Sequence, residues 1–137
     1  MLRPFHLAIP VKDVGVARKY YTDFLGFAEG RSSDKWVDYN FFGHQLVIHE
    51  TGISADTAIN PVDGKSIPVP HFGVVLTIED FQEFAERLTS KGQEFVIEPY
   101  TRFEGEVGEQ RTMFFLDPSG NALEFKAFEN LDSLFEK

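Results

Sequence analysis

The sequence describes the same order of predicted elements twice, and this repetition constrains the fold more than any other feature. In each half an apolar strand-like run opens with a histidine, which is His6 in the first half and His71 in the second. Each run leads within a few residues into a helical pattern that opens with an acidic residue, Asp13 or Glu79. Three more strand-like runs follow each helix. The pattern therefore predicts an α+β fold built from two βαβββ modules.

The length of 137 residues predicts a single domain that covers residues 1–137. The two modules occupy about residues 1–50 and 70–128. Between them we predict an irregular linker, 51–69, which is rich in glycine and proline. In the tail, 129–137, apolar residues recur at helical spacing. We interpret the tail as a short helix that docks onto the body of the protein or onto a second subunit.

Charge and composition exclude several classes of function. The formal net charge of −9 leaves no basic stripe for the phosphates of a nucleic acid or for an anionic membrane surface. Because the chain has no cysteine, it forms no disulfide, thiolate zinc site or thiol nucleophile. No run approaches the roughly 18 apolar residues that span a bilayer, and the strand pattern starts without the basic and apolar regions of a signal peptide, so we expect neither feature. We therefore expect a soluble, cytoplasmic protein.

Three side chains in predicted strands form a candidate metal site. The alternation of side chains along a strand places His6, His71 and Glu124 opposite the large apolar residues that the helices cover. Two imidazoles and one carboxylate are the ligands of a divalent metal with open coordination positions. Two other interpretations stay open. Each histidine could be a partly buried hydrogen-bonded residue, and Glu124 could form an ion pair with Lys126 or an arginine.

Four segments of the chain are similar to one known family. They are Phe5-His6-Leu7-Ala8-Ile9-Pro10-Val11-Lys12-Asp13, Tyr20-Tyr21-Thr22-Asp23-Phe24-Leu25-Gly26-Phe27, His71-Phe72-Gly73-Val74 and Phe115-Leu116-Asp117-Pro118-Ser119-Gly120-Asn121-Ala122-Leu123-Glu124-Phe125. The chain resembles the vicinal oxygen chelate superfamily, which includes glyoxalase I, extradiol dioxygenases, and bleomycin and fosfomycin resistance proteins. The resemblance implies two paired modules that form a curled mixed sheet around a metal cavity. It also implies that His6, His71 and Glu124 are the metal ligands.

Within that superfamily the chain looks closest to small, single-domain predicted extradiol-type dioxygenases. In bacterial glyoxalase I the fourth strand supplies a second glutamate, and the matching residue here is His49. Glu50 is adjacent, and a slip of one residue in the alignment would exchange the two side chains. If His49 faces the cavity, the second carboxylate is missing and His49 is a candidate catalytic acid or base.

Two residues that flank a predicted loop, residues 98–111, are candidate substrate-binding residues. The guanidinium of an arginine can clamp a substrate carboxylate through two hydrogen bonds, which makes Arg111 a candidate, and Tyr100 lies at the other end of the same loop. The alternative is that this charge-rich loop is simply solvated.

The sequence thus predicts a metal-dependent dioxygenase that acts on a small chelating substrate, such as a catechol, with O₂ as its second substrate. Fe(II) is the favoured metal because two histidines and one carboxylate leave three positions open; Mn, Ni and Zn are the other candidates. A lyase or isomerase of the glyoxalase I type is the first alternative, and a metal-free antibiotic-binding resistance protein is the second. The resemblance further implies a homodimer.

Overall fold

The computed structural model of the chain describes residues 2–62 and 64–137 and divides them into two compact units. The first unit comprises Met1–Ile67 and Asp117–Asn121, and the second comprises Pro68–Leu116 and Ala122–Lys137. The prediction of a single domain stays a prediction. None of the helices in these described residues is long and apolar enough to cross a membrane.

The first unit contains a four-stranded mixed sheet with one helical segment. Its elements are β1 (His6–Val11), α1 (Val14–Arg18), a π-helical turn (Lys19–Phe24), β2 (Ala28–Ser32), β3 (Trp36–Phe41) and β4 (His44–Glu50). The strand order is β1-β4-β3-β2, in which β1 and β4 are parallel and the other pairs are antiparallel. Asp13 is the N-cap of α1, as predicted, and its side chain accepts a hydrogen bond from the backbone N–H of Val16.

The second unit repeats this topology. Its elements are β7 (His71–Phe72), β8 (Val75–Leu76), α2 (Ile78–Ser90), β9 (Phe95–Arg102), β10 (Gln110–Leu116), β11 (Ala122–Ala127) and a 3₁₀-helix (Leu131–Phe135). The strand order is β7-β11-β10-β9, and β8 also pairs with β11. In both units the first strand is parallel to the fourth, and the last three strands form an antiparallel meander. The predictions of an α+β fold and of two βαβββ units are therefore confirmed.

The predicted linker is not irregular throughout, because it contains a two-stranded sheet. This sheet consists of β5 (Ala58–Val62) and β6 (Lys65–Val69). The prediction failed because each strand contains a proline, Pro61 in β5 and Pro68 in β6, and proline usually indicates a loop. An edge strand, however, tolerates proline.

Three predictions about the second unit also need correction. The strand predicted to open with His71 is interrupted at Gly73, and α2 begins after the N-cap Thr77 rather than at Glu79. The long loop predicted for 98–111 is shorter, because β9 continues to Arg102 and β10 begins at Gln110. The predicted short tail helix is present, but its apolar residues Leu131 and Phe135 are exposed.

The Asp-Pro-Ser-Gly-Asn segment has a structural role in the first unit. The Asp117 carboxylate is buried and accepts four hydrogen bonds. Its donors are the backbone N–H groups of Ser119 and Asn121, the Asn121 side-chain amide and the Tyr21 hydroxyl, at 2.8–2.9 Å. The Asn121 amide also donates to the Pro10 carbonyl at 2.8 Å. Burial raises the pKa of the Tyr21 hydroxyl well above its ordinary value, and Asp117 raises it further, so the phenol stays protonated and donates.

Candidate metal centre

Two of the three predicted ligands are in contact within the second unit. Glu124 lies in β11 and is only 8% exposed, and its Oε2 lies 3.0 Å from Nε2 of His71. The two strands can come this close because of Gly73. A Cβ at that position would lie 1.6 Å from the Glu124 carbonyl oxygen, so only glycine fits. The glycine that interrupts the predicted strand therefore also brings β11 against the segment that carries His71.

The other carboxylate oxygen of Glu124 is occupied by protein donors. Oε1 accepts a hydrogen bond of 2.7 Å from the Thr112 hydroxyl and lies 3.8 Å from Nζ of Lys126. The ion pair with Lys126, which the sequence left open as an alternative, is thus present at Oε1. Because these partners hold Oε1, Oε2 is the oxygen that is directed to His71.

The two side chains shift each other's pKa in the directions of an ion pair. The hydrogen bond with Glu124 raises the pKa of His71, although burial opposes this shift. Burial by itself would raise the pKa of Glu124, but hydrogen bonds from His71 and Thr112 outweigh it and lower the pKa. Each partner therefore favours the charged form of the other.

The second nitrogen of His71 also has a partner. Nδ1 lies 2.7 Å from the carbonyl oxygen of Pro68, and a carbonyl only accepts, so Nδ1 carries the hydrogen. Nε2 is then the nitrogen available to a proton or to a metal. Metal-binding histidines usually donate their other N–H to a carbonyl or carboxylate in this way.

His6 has the same arrangement in the first unit, with a different acceptor. Its Nδ1 lies 2.7 Å from Oε1 of Gln45, which is its direct partner in the β1–β4 ladder. Gln45 also donates from Nε2 to the buried Asp38 at 3.3 Å. His6 is exposed, and Nε2 is again its available nitrogen.

The ladder decides the question of His49 and Glu50. His49 pairs with Pro10 and therefore lies on the same face of the sheet as His6. Glu50 lies on the opposite face, where its carboxylate accepts hydrogen bonds from the Val14 backbone N–H at 3.0 Å and from Nζ of Lys35 at 2.8 Å. The face of β4 that carries His49 thus holds Gln45, Val47 and His49 and contributes no carboxylate.

Ladder pairing puts the two predicted substrate-binding residues on alternate faces of the second sheet, although both contribute to the pocket beside α2. Tyr100 pairs with Thr112 and so shares a face with the donor to Glu124. Arg111 pairs with Thr101 on the face toward α2, where it lines a pocket of about 500 Å³. The structure therefore does not bring Arg111 together with Glu124.

The structure pairs His71 with Glu124 and holds His6 in the other unit. Within residues 2–62 and 64–137, no three histidine, aspartate or glutamate side chains are grouped as a metal site. The three-ligand centre accordingly stays a prediction. The sequence analysis missed three partners of these residues, Gln45, Asp38 and Thr112. One signal was available for Gln45, because strand alternation in β4 puts it on the same face as His49.

Comparisons with known proteins identify the class to which this fold and these residues belong. The chain is 30% identical to a glyoxalase/bleomycin resistance protein/dioxygenase from Alicyclobacillus acidocaldarius, with a TM-score of 0.81 over 97% of this chain and 96% of that one. The model of the Glyoxalase/Bleomycin resistance protein/Dioxygenase superfamily matches residues 3–125. The chain belongs to this superfamily, which is the vicinal oxygen chelate superfamily predicted from its motifs.

More distant structures share the fold. A fosfomycin resistance protein from Listeria monocytogenes is 20% identical, with a TM-score of 0.68 over 97% of this chain and 96% of that one. A lactoylglutathione lyase from Agrobacterium tumefaciens is 16% identical, with a TM-score of 0.69 over 100% and 98%. No curated protein matches the chain in sequence at a significant level. The superfamily contains many enzymes and also non-enzymatic resistance proteins, and its members commonly use divalent metals.

Proposed function

We propose that this chain is a metal-dependent dioxygenase of a small chelating substrate, such as a catechol, and that His6, His71 and Glu124 are its metal ligands. One observation carries the proposal. The histidines that begin β1 and β7 both use Nδ1 toward a protein oxygen, at 2.7 Å in each case, which leaves Nε2 for a ligand. A histidine that serves only as a hydrogen-bonding partner can use either ring nitrogen. The use of Nδ1 in both units therefore supports a common role for the two histidines.

The donor set fits a divalent cation of the Fe(II) type. Two neutral imidazoles and one carboxylate suit Fe(II), with Mn, Ni and Zn as weaker candidates, since no thiolate is available. Glu124 would bind through Oε2 alone, because Thr112 and Lys126 occupy Oε1. A bound ion would supply positive charge that collects a substrate with two neighbouring oxygens and stabilises the charge developing on it.

The remaining roles fall to side chains of the chain itself. His49 lies on the face of His6 and is exposed, so it is the candidate acid or base for a substrate hydroxyl. Tyr100, on the face of Thr112, is a candidate substrate contact. Arg111 lies toward α2 and is not part of this proposal. O₂ as second substrate, a homodimer and a cytoplasmic location are parts of the same proposal.

The first alternative is an isomerase or lyase of the glyoxalase I type. In bacterial glyoxalase I the fourth strand supplies a second glutamate for this reaction. Here the matching face of β4 contains no carboxylate, and Glu50 is used on the other face by Val14 and Lys35. This observation favours the dioxygenase. A metal-free binding protein is the second alternative, and the paired His71 and Glu124 disfavour it because that class typically lacks the ligand set.

The test is metal analysis of anaerobically purified protein, followed by oxygen uptake with a panel of catechols. We expect one metal ion per ligand set, oxygen uptake with at least one catechol, and loss of the metal in the His6→Ala variant. His49→Ala is the matched control, because it should keep the metal and lose about 10²- to 10⁴-fold in turnover. Unchanged metal content in His6→Ala contradicts the ligand assignment. Turnover of the glutathione–methylglyoxal adduct without any oxygen uptake assigns the isomerase instead.

A further inference from the structure

We propose that Gln45 is a positioning residue that determines which ring nitrogen of His6 is free to bind, and that Asp38 sets the orientation of Gln45. The chemical purpose of this arrangement rests on the proposed function. The hydrogen-bond chain itself rests only on contacts within the first unit.

The series of hydrogen bonds runs across one face of the sheet from β3 to β1. Asp38 pairs with Val47 and Gln45 pairs with His6, so the three polar side chains share a face. Nε2 of Gln45 donates to Oδ2 of Asp38 at 3.3 Å, and Oε1 of Gln45 lies 2.7 Å from Nδ1 of His6. The Asp38 side chain is buried, and Nε of Arg31 lies 3.8 Å from the same Oδ2.

Asp38, at the buried end of this series of hydrogen bonds, determines which groups donate and which accept. A carboxylate only accepts hydrogen bonds, so the NH₂ end of the Gln45 amide must face Asp38. The carbonyl end of the amide then faces His6, and it accepts the Nδ1 hydrogen. Neutral imidazole carries a single ring hydrogen, so Nε2 of His6 keeps its lone pair.

The second unit shows why Asp38 is required in the first. His71 donates to the backbone carbonyl of Pro68, which cannot turn into a donor. A side-chain amide can rotate and present its NH₂ group, which would place the hydrogen of His6 on Nε2 and abolish its lone pair there. The amide therefore needs an orienting partner, and the buried Asp38 supplies it.

The protein contains an internal reference for the measurement. Nδ1 of His44 accepts a hydrogen bond of 2.8 Å from the backbone N–H of Phe5, so neutral His44 carries its hydrogen on Nε2. His6 and His44 should thus be opposite tautomers in the same sheet. Nitrogen-15 NMR of the histidine rings in the metal-free protein distinguishes the two, at a pH above the ordinary imidazole pKa of about 6.5.

The experiment compares the whole protein with three variants. We expect His6 in the wild type to be the Nδ1–H tautomer, and Gln45→Met to convert it to a mixture without changing His44. Gln45→Glu keeps an acceptor and should restore the Nδ1–H tautomer. Asp38→Asn, which permits rotation of the Gln45 amide, should give an intermediate population. Gln45 is exposed, so its variants should unfold in the same temperature range as the wild type.

A second readout is the affinity for Zn²⁺, measured by calorimetry. Gln45→Met should bind Zn²⁺ about 10- to 100-fold more weakly than wild type, and Gln45→Glu should bind within a few-fold of it. An Nε2–H tautomer of His6 in the wild type, or an Nδ1–H tautomer that persists in Gln45→Met, overturns the proposal. A changed tautomer with unchanged Zn²⁺ affinity overturns the positioning role. If the wild type binds neither Zn²⁺ nor Fe(II), the metal proposal fails, and the tautomers alone still decide the role of Gln45.

Discussion

Asp117 and Glu124 are two buried carboxylates that lie seven positions apart in the sequence, and they use their oxygens differently. Asp117 is 5% exposed and Glu124 is 8% exposed, so burial does not separate them. Both oxygens of Asp117 accept hydrogen bonds, from Tyr21 and from the turn that Asp117 begins. In Glu124 only Oε1 has fixed donors, whereas Oε2 faces an imidazole nitrogen.

The number of oxygens with fixed donors distinguishes a structural carboxylate from a candidate metal ligand. A buried carboxylate must be satisfied, and when its own unit satisfies both oxygens, none is left for chemistry. Glu124 has one oxygen that can exchange a partner, since a metal ion can replace the proton between it and His71. Substitutions at the two sites should therefore separate stability from metal binding.

The largest change in stability is expected for Asp117→Ala. The substitution leaves the Tyr21 hydroxyl, the Asn121 amide and two backbone N–H groups without their acceptor, at a cost of about 3–5 kcal/mol. Urea unfolding measures the loss. The control Asp34→Ala removes an exposed carboxylate and should change stability by less than about 0.5 kcal/mol. Equal effects of the two substitutions would contradict the structural role of Asp117.

A smaller loss of stability and a larger loss of metal are expected for Glu124→Gln. The amide keeps the shape and a hydrogen bond to Thr112, so we expect a cost of about 1–2 kcal/mol. Metal affinity should fall by more than the about 100-fold that removal of an outer hydrogen-bond partner costs. Calorimetric titration with Zn²⁺ measures this fall, and Glu98→Gln on the exposed side of β9 is the control. Full metal affinity in Glu124→Gln would remove it from the ligand set.

An intermediate effect on stability alone is expected for Tyr21→Phe. The substitution removes one of two donors to Oδ2 of Asp117 and keeps the aromatic packing, so the cost should be about 1–2 kcal/mol. Urea unfolding of the metal-free and Zn²⁺-loaded protein should give the same difference between variant and wild type. A variant whose metal affinity falls along with its stability would show that the Asp117 turn and the metal centre are coupled.

The smallest effect concerns Glu50, a third carboxylate whose partners all lie in its own unit. The hydrogen bonds from Lys35 and from the Val14 N–H lower the pKa of Glu50 below its ordinary value of 4.5. Its contribution to stability is therefore present above pH 4.5 and is lost as the pH falls through the lowered pKa. Glu50→Gln should show a flatter fall of the thermal midpoint in acid than wild type. An identical acid profile would mean that this exposed pair contributes nothing.

Several features could be predicted from the sequence because they depend on neighbours along the chain. The N-cap at Asp13 and the apolar face of α2 follow from local chemistry and from a period of 3.6 residues, and both are present. The sequence left open whether His49 or Glu50 shares a face with His6, and the β1–β4 ladder shows that it is His49. The break at Gly73 was missed, because it results from the close approach of β11, which is far away in sequence.

The partners of the candidate ligands could not be predicted for the same reason. That Gln45 contacts His6, and that Thr112 contacts Glu124, depends on register between strands that no local pattern specifies. Arg111 was assigned to the substrate because it flanks a loop, but the extension of β9 and β10 turns it toward α2.

The sequence by itself determined the repeated βαβββ order, the superfamily and the residue types of the candidate metal site, because these reside in composition, periodicity and motifs. Only the tertiary structure decided which oxygen of Glu124 faces His71 and which nitrogen of each histidine is available. It also showed that the Glu50 carboxylate is bound by the Val14 N–H and by Lys35. Those choices are made by hydrogen bonds between residues that are distant in sequence, and such bonds exist only once the strands are in register.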